Sequence, residues 1–201
     1  MKIADCNEER RYSSVYDDLD VVSKKRYREK LDRLGKESVD PYLPVGEDRR
    51  LRSFPGVEYP DVYNYLVNAP SPYTKEAMKA YKSLEAYKYL VAEWVEDVSV
   101  FRASLSSSSE QKVIVAGNVR HSQSVSSAPL RPWVAAEADG RIVCAHCTCM
   151  AGLGEACSHI AALLFWLEAN NRLLADPSCT SVPCQWSAPT MQNVDYRRDQ
   201  G

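Results

Sequence analysis

Residues 147–159, CTCMAGLGEACSH, constrain this chain more than any other stretch, because they place three cysteines and one histidine within thirteen positions. The whole chain of 201 residues has only seven cysteines and three histidines. The four side chains form two pairs, Cys147/Cys149 and Cys157/His159, and one residue separates the members of each pair. Three sulfurs and one imidazole are a ligand set typical of tetrahedral zinc. The spacing therefore predicts one metal site that joins the two ends of a short loop.

A β-hairpin is predicted just before the loop. Asp139-Gly140 is a turn signal between two strand-like runs in WVAAEADGRIVCAHCTC. We expect Cys147 and Cys149 to lie on the second strand. Because side chains alternate along a strand, both thiols would then project from one face, close enough to bind one ion.

The other two ligands should lie at the start of a helix. Gly152 and Gly154 would let the loop reverse direction. Ser158 is a candidate N-cap, and the positive end of the helix would favour a thiolate at Cys157. With His159 as the fourth ligand the coordination shell is closed. A closed shell leaves no position for an activated water, so the pattern predicts a structural zinc and not a hydrolytic one.

Two neighbouring residues compete for the same role. Cys144 begins the run CAHC, which has the spacing of a zinc knuckle. Strand alternation directs Cys144 and His146 away from Cys147 and Cys149, although a β-bulge could turn Cys144 into the position of one ligand. Cys144 and His146 could also form a nucleophile and base, but they lack a third group to orient them.

The remaining cysteines and histidine do not suggest a second metal site. Cys179 and Cys184 are five residues apart in a proline-bearing tail, and only Cys6 and His121 remain as partners for them. We interpret the two tail cysteines as packing residues or as thiols without a specific role.

Three helices are predicted elsewhere in the chain. The first, over residues 10–34 and ended by Gly35, includes the basic run KKRYREK, which we interpret as a solvated face. The second covers residues 71–95, with Ser71 or Thr74 as N-cap. The third starts with the apolar run HIAALLFWL and should be buried against the sheet. The proline-rich stretch 40–72 is predicted to be irregular.

These elements predict an α+β protein in three parts. A helical N-terminal region covers residues 1–103, and a zinc-binding domain covers residues 104–176, with a small antiparallel sheet and a helix organised around the metal. A tail follows over residues 177–201.

Composition sets limits on the function classes. The chain is 45% hydrophobic and 26% charged, with a formal net charge of −2, as in ordinary globular proteins. The N-terminus lacks the apolar core of a signal peptide, and the longest apolar run, residues 160–167, is too short for a bilayer. We therefore expect an intracellular protein, with the nucleus as one option and no membrane partner. In that compartment clustered cysteines indicate metal binding or catalysis before disulfides.

The order Cys-x-Cys, loop, Cys-x-His resembles the SWIM-type zinc finger, whose ligands correspond to Cys147, Cys149, Cys157 and His159. The wider sequence, from KVIVAGNVRHSQSV to CTSVPCQW, is similar to animal transposon- or viral-recombinase-associated proteins in which a SWIM finger precedes a YqaJ-type nuclease. The chain ends about where that nuclease would begin, so nuclease activity is not carried over. The resemblance implies a module that binds nucleic acid or protein.

Charge favours neither partner strongly. Residues 98–160 hold five basic and four acidic side chains, so with three thiolates and Zn²⁺ the finger is nearly neutral. The leading prediction is weak nucleic-acid binding through Arg120, Arg131 and Arg141. The alternative is a protein-interaction adaptor, as in ubiquitin-ligase assemblies. Neither role involves a small-molecule substrate.

The chain is predicted not to be an enzyme. Glu110-Gln-Lys112 has the Glu-x-Lys form of metal-dependent nucleases, with Asp97 as the acidic companion. Such a short motif arises readily by chance, and we interpret it that way.

Overall fold

The computed structural model describes residues 10–35, 37–104, 112–121 and 127–175. Within these residues the fold is α+β, as predicted, with five α-helices and one antiparallel sheet whose four strands lie side by side in chain order. The strands are β1 (Val95–Arg102), β2 (Val113–Val119), β3 (Trp133–Ala136) and β4 (Ile142–His146). The helices are α1 (Ser14–Asp17), α2 (Val21–Leu34), α3 (Tyr59–Tyr63), α4 (Tyr87–Val91) and α5 (Ser158–Ala175).

The sheet is buried on both faces. In β2 and β3, Ile114 pairs with Ala135 and Val115 pairs with Val134, and all four are fully buried. Because side chains alternate, the first pair belongs to the apolar layer on one face and the second pair to the layer on the other. The sheet is therefore the middle layer of three.

Helix α5 covers one face of the sheet. Its first turns are apolar almost all round, and Ile160, Leu163, Leu164 and Leu167 are completely buried. They pack against the sheet and against the helical segments that precede β1. The prediction of a buried C-terminal helix is confirmed.

Helix α2 covers the other face. Asp20 caps it by accepting hydrogen bonds from the backbone amides of Val22 and Ser23, and Gly35 follows its end with a φ of 117°. Its buried stripe includes Tyr27, Leu31 and Leu34, which pack on the layer that holds Phe101, Ile114, Trp133 and Cys144. The predicted end at Gly35 is confirmed, but the single helix predicted over residues 10–34 is wrong in its first half, because α1 ends at Asp17 and α2 begins only at Val21, with Val22 exposed.

The predicted helix over residues 71–95 is wrong in its first half and at its end. Residues 71–80 are irregular, and the hydroxyl of Ser71 accepts from the amide of Tyr73 in a turn instead of capping a helix. The amides of Lys79 and Ala80 donate to the carbonyls of Val67 and Leu66. These tertiary bonds replace those a helix would make. Helical structure begins only at Tyr81–Ala86, a 3-10 segment that leads into α4, and β1 starts at Val95.

The irregular connector predicted over residues 40–72 also contains regular structure. Helix α3 continues into a π-helical turn, Asn64–Asn68. The backbone amide of Glu58 donates to the carboxylate of Asp61 at the start of α3. The proline at position 60 lies in the first turn, where a backbone N–H has no partner within the helix, so its missing N–H is tolerated. Val62 and Leu66 are fully buried against the α5 layer, which explains why this stretch is ordered despite its prolines.

Candidate metal centre

The β3–β4 hairpin leads into residues 147–157, which connect it to α5 and which we call the ligand loop. Gly140 lies in the predicted turn with a φ of 102°, and a Cβ there would be 2.3 Å from the carbonyl oxygen of Gly56. The hairpin prediction is confirmed, but β4 ends at His146. Cys147 and Cys149 therefore lie just beyond the strand and not on it. Cys147 is buried on the α5 side of the sheet.

The loop reverses direction with Gly152 as predicted, but with Glu155 in place of Gly154 as the second special backbone position. A Cβ on Gly152 would lie 1.7 Å from the carbonyl oxygen of Cys147, so glycine is required there by close backbone approach. Gly154 has no such neighbour. The left-handed residue is Glu155, with a φ of 65°. Its side chain is held by contacts that stabilise this unusual conformation, as described below.

Helix α5 presents the second ligand pair. It begins at Ser158, so Cys157 and not Ser158 occupies the N-cap position. The backbone amide of Ile160 donates to the sulfur of Cys157, and the amide of Ala161 donates to its carbonyl oxygen. The cysteine itself therefore caps the helix, which corrects the Ser158 prediction and fixes the direction of this sulfur.

The structure brings the four predicted ligands together. One ligand atom from each of Cys147, Cys149, Cys157 and His159 lies within 4.8 Å of the others, so the group could hold a metal ion. Ligands of tetrahedral zinc with Zn–S bonds of about 2.3 Å are about 3.7 Å apart, so only a small contraction is needed. Among the described residues, Nδ1 of His159 is buried and has no hydrogen-bond partner. An imidazole nitrogen in that position suits a metal ligand.

The electrostatics of the sulfurs also fit a cation. Hydrogen bonds to Cys149 and Cys157, together with burial, raise the pKa of Cys147 well above its usual value. Hydrogen bonds from Cys147 and Cys157 lower the pKa of Cys149 below its usual range. The contact with Cys147 lowers the pKa of Cys157, but the contact with Cys149 and burial outweigh it and raise that pKa to about 11. The helix end was expected to favour a thiolate at Cys157, whereas the three coupled thiols lower the pKa of Cys149 and raise that of Cys157. Adjacent thiolates repel one another, so a divalent cation is what lets all three ionise.

Cys144 and His146 lie on the opposite face of the sheet, as predicted. Cys144 is fully buried in the α2 layer, and burial raises its pKa to about 12. The ring of His146 lies 4.8 Å from that of Tyr27, and burial lowers its pKa to about 3. A reactive cysteine needs a lowered pKa. The pair therefore lacks the properties of a nucleophile and its base.

A buried ion pair connects α2 to the ligand loop, and the sequence analysis missed it. Lys30 and Glu155 are each 3% exposed, and Lys30 Nζ lies 3.7 Å from Glu155 Oε1. Lys30 also donates to the carbonyl oxygen of Ala145 at 2.9 Å, while Glu155 accepts from the hydroxyl of Tyr65 at 3.0 Å and lies 3.5 Å from Arg33. Both ends of the ligand loop are thus fixed to the helix.

The sequence held two signals for this pair. Lys30 lies three residues after Tyr27 and four before Leu34, on the buried stripe of α2, and not on the solvated face assigned to KKRYREK. Glu155 is the only charged residue within residues 147–159. A charge on an apolar stripe and a lone charge in a ligand loop each need a partner.

Two of the three arginines predicted to contact nucleic acid already bind carboxylates. Arg120 Nε donates to Glu96 at 2.9 Å, and Arg141 Nε donates to Glu137 at 2.9 Å. The guanidinium of Arg131 instead lies over the ring of Tyr42, 4.9 Å from its centre. Contact with phosphate by Arg120 or Arg141 would have to compete with an existing ion pair.

A cleft of about 370 Å³ lies beside the ligand loop, between α2 and residues 70–75. Glu155 and Lys30 form part of its wall, and Arg26, Arg33 and Lys75 contribute three more cations. Nothing in the sequence alone placed residues 70–75 next to α2. Three residues of the run KKRYREK, Arg26, Glu29 and Lys30, thus line a cleft beside the ligand loop.

Several predicted features fall outside the described residues, among them Glu110 of the nuclease-like motif and Cys6, Cys179 and Cys184. Asp97, its proposed companion, accepts a hydrogen bond from the side chain of Asn118 at 2.9 Å. The ring of His121 lies 6.0 Å from that of His159. In the part of the chain that is described, no helix has the length and apolar character needed to cross a membrane.

The fold and the site together define an α+β protein with a Cys3His cluster that could hold a metal ion. Comparison of the chain with protein-family models, curated proteins and solved structures found no match.

Proposed function

We propose that this chain is a SWIM-type module in which one structural zinc joins the end of the β3–β4 hairpin to the start of α5, and which supports nucleic-acid binding. The observation that carries the proposal is the convergence of Cys147, Cys149, Cys157 and His159 within 4.8 Å. Thiolate-rich, tetrahedral sites select zinc over hard cations. All four positions come from protein, so the metal would stabilise the fold and leave no site for substrate.

The metal proposal is tested by elemental analysis of the purified full-length chain. We expect about one zinc per chain, because the four ligands form one closed shell. His159→Ala should lower the ratio sharply. A ratio near zero for the unaltered chain, or a stoichiometric amount of iron or copper in place of zinc, would contradict the assignment.

Removal of the neighbouring thiol provides a matched control. Cys144→Ala should keep the zinc, because Cys144 lies in the α2 layer on the far face of the sheet. Cys147→Ala should lose it, because Cys147 belongs to the cluster. The same elemental analysis distinguishes them. Zinc lost from the first variant and kept by the second would mean that the strand register is assigned incorrectly.

The nucleic-acid role is supported by the family resemblance and by the cleft beside the ligand loop. Its wall carries four cations and two carboxylates, so positive charge is in excess next to the metal site. Nucleic-acid affinity depends strongly on such phosphate contacts. Binding of a labelled oligonucleotide that is lost on zinc removal and recovered on its return is the expected result.

A protein-interaction adaptor is the second candidate, favoured by exposed aromatic side chains. Tyr59 and Tyr87 are each more than half exposed, and both rings lie near that of Phe165, at 6.5 and 6.3 Å. Tyrosine is enriched in protein interfaces. An oligonucleotide titration that shows no binding would favour this candidate over the first.

We also propose that the chain has no nuclease activity of its own. The full-length protein with Mg²⁺ or Mn²⁺ should leave supercoiled and linear DNA intact, because the Glu-x-Lys motif is interpreted as a chance match. Gel analysis over a long incubation is the measurement. Cleavage that disappears in Glu110→Ala would show that the motif is functional.

A further inference from the structure

The cleft between α2 and the ligand loop has an excess of two positive charges. Four cationic and two acidic side chains line it: Arg26, Lys30, Arg33, Lys75, Glu29 and Glu155. This concentration contrasts with the chain as a whole, whose formal net charge is −2. A concave surface lined by one sign of charge raises the local concentration of the opposite ion.

One of the two excess charges belongs to the group of Lys30, Arg33 and Glu155, and the other belongs to Arg26, Lys75 and Glu29. Lys30 and Arg33 share the carboxylate of Glu155, at 3.7 and 3.5 Å. Arg26 and Lys75 instead donate to one backbone carbonyl, that of Pro72, at 3.2 and 3.4 Å. A carbonyl carries no net charge, so the bonds to Pro72 do not neutralise either cation, and Glu29 is the carboxylate on this part of the wall.

The side chain of Arg26 is held in place, whereas that of Lys75 is exposed. The guanidinium of Arg26 lies over the ring of Tyr73, 3.3 Å from its centre. The backbone of Lys75 has a φ of 64°, a conformation that costs free energy in a non-glycine residue and that it shares with Lys79, Glu93, Asp97 and Glu155. Buried Lys30, on the wall of the same cleft, donates to the carbonyl oxygen of Ala145 in β4 and to that of Gly152 in the ligand loop. Groups fixed in advance lose little entropy when a ligand binds.

We propose that this cleft binds a backbone phosphate of a nucleic-acid strand between Arg26 and Lys75. A planar guanidinium and a point-charge ammonium are the two side chains that proteins use for phosphate. The inference rests on the proposed nucleic-acid role and gives it a location, on the α2 side of the ligand loop, with cations other than the ion-paired Arg120 and Arg141. Because Glu155 belongs to the loop between the ligands, bound zinc would also stabilise the floor of the site.

The test is fluorescence anisotropy of the zinc-loaded, full-length chain with a fluorescein-labelled 20-nucleotide DNA, single-stranded and duplex, across a salt series. Loss of one phosphate contact lowers the slope of log affinity against log salt by about 0.9 for duplex and about 0.7 for single strands. At about 0.1 M salt this corresponds to about eightfold weaker duplex binding. We expect this loss in Arg26→Gln/Lys75→Gln. The matched control is Arg28→Gln, an exposed arginine on the same helix that does not line the cleft.

Zinc content and Tm of each variant show whether it is folded, and the single variant Lys75→Gln replaces the double variant if Arg26→Gln disturbs residues 70–75. Equal binding by variant and unaltered chain would overturn this site and leave the nucleic-acid role intact. No binding by the unaltered chain would overturn both. Displacement of the DNA by the same phosphate concentration of inorganic tripolyphosphate would assign the cleft to free phosphate anions and overturn the strand assignment.

Discussion

Removal of zinc is expected to unfold the unit formed by β3, β4, the ligand loop and the first turns of α5. Binding of structural zinc to small domains is worth about 10–16 kcal/mol at neutral pH, against a total stability of about 5–15 kcal/mol for a typical domain. Residues 147–157 contain only short 3-10 structure, Gly152–Gly154, to hold them. Without a cation, the neighbouring sulfurs cannot all ionise, and the ligand loop loses its main cross-link.

Hydrogen exchange and thermal unfolding measure this effect. Cys149→Ser should remove exchange protection from β3, β4 and the first turns of α5 and lower Tm by more than about 10 °C, since each kcal/mol shifts Tm by about 2–4 °C at this chain length. Met150→Ser is the matched control, because Met150 lies in the same loop and is fully exposed. Unchanged protection in Cys149→Ser would contradict the zinc proposal.

Local signals in the sequence account for the parts of the fold and site that were predicted. Asp139-Gly140 specifies a turn, strand alternation separates Cys144 from Cys147, and the apolar run from Ile160 specifies a buried helix. Each of these properties depends on neighbours within a few residues. The four-residue cluster could be predicted for the same reason, because its two halves are carried by a hairpin end and a helix start that are close in sequence.

Long-range contacts account for the errors. Residues 71–80 have helical propensity, but the amides of Lys79 and Ala80 bond to carbonyls of the Asn64–Asn68 turn, and no local pattern reveals such a partner. Lys30 and Glu155 belong to segments far apart in the sequence. The sequence around the basic run KKRYREK indicates a solvated face. Part of the run is nevertheless buried, because α2 packs across the sheet onto the ligand loop.

Lys30→Met is expected to produce the second large effect, through the buried ion pair. Removing one partner of such a pair leaves an uncompensated buried charge and costs about 3–5 kcal/mol. Glu155 would keep Arg33 and Tyr65 as partners, so we expect the lower end, about 3 kcal/mol. At this chain length that lowers Tm by about 6–12 °C. Zinc affinity should fall as well, because Lys30 donates to the carbonyl oxygens of Ala145 and Gly152 on either side of the first ligand pair.

A double-mutant cycle separates the ion pair from general damage to the helix. Lys30→Met combined with Glu155→Gln should destabilise the chain by less than the sum of the two single changes, because the second change removes the unpaired carboxylate. Lys25→Met makes the same substitution at an exposed position of α2 and should leave Tm nearly unchanged. Urea unfolding and chelator competition supply the free energies and the zinc affinities. Equal effects of Lys30→Met and Lys25→Met would mean that α2 does not support the ligand loop through this pair.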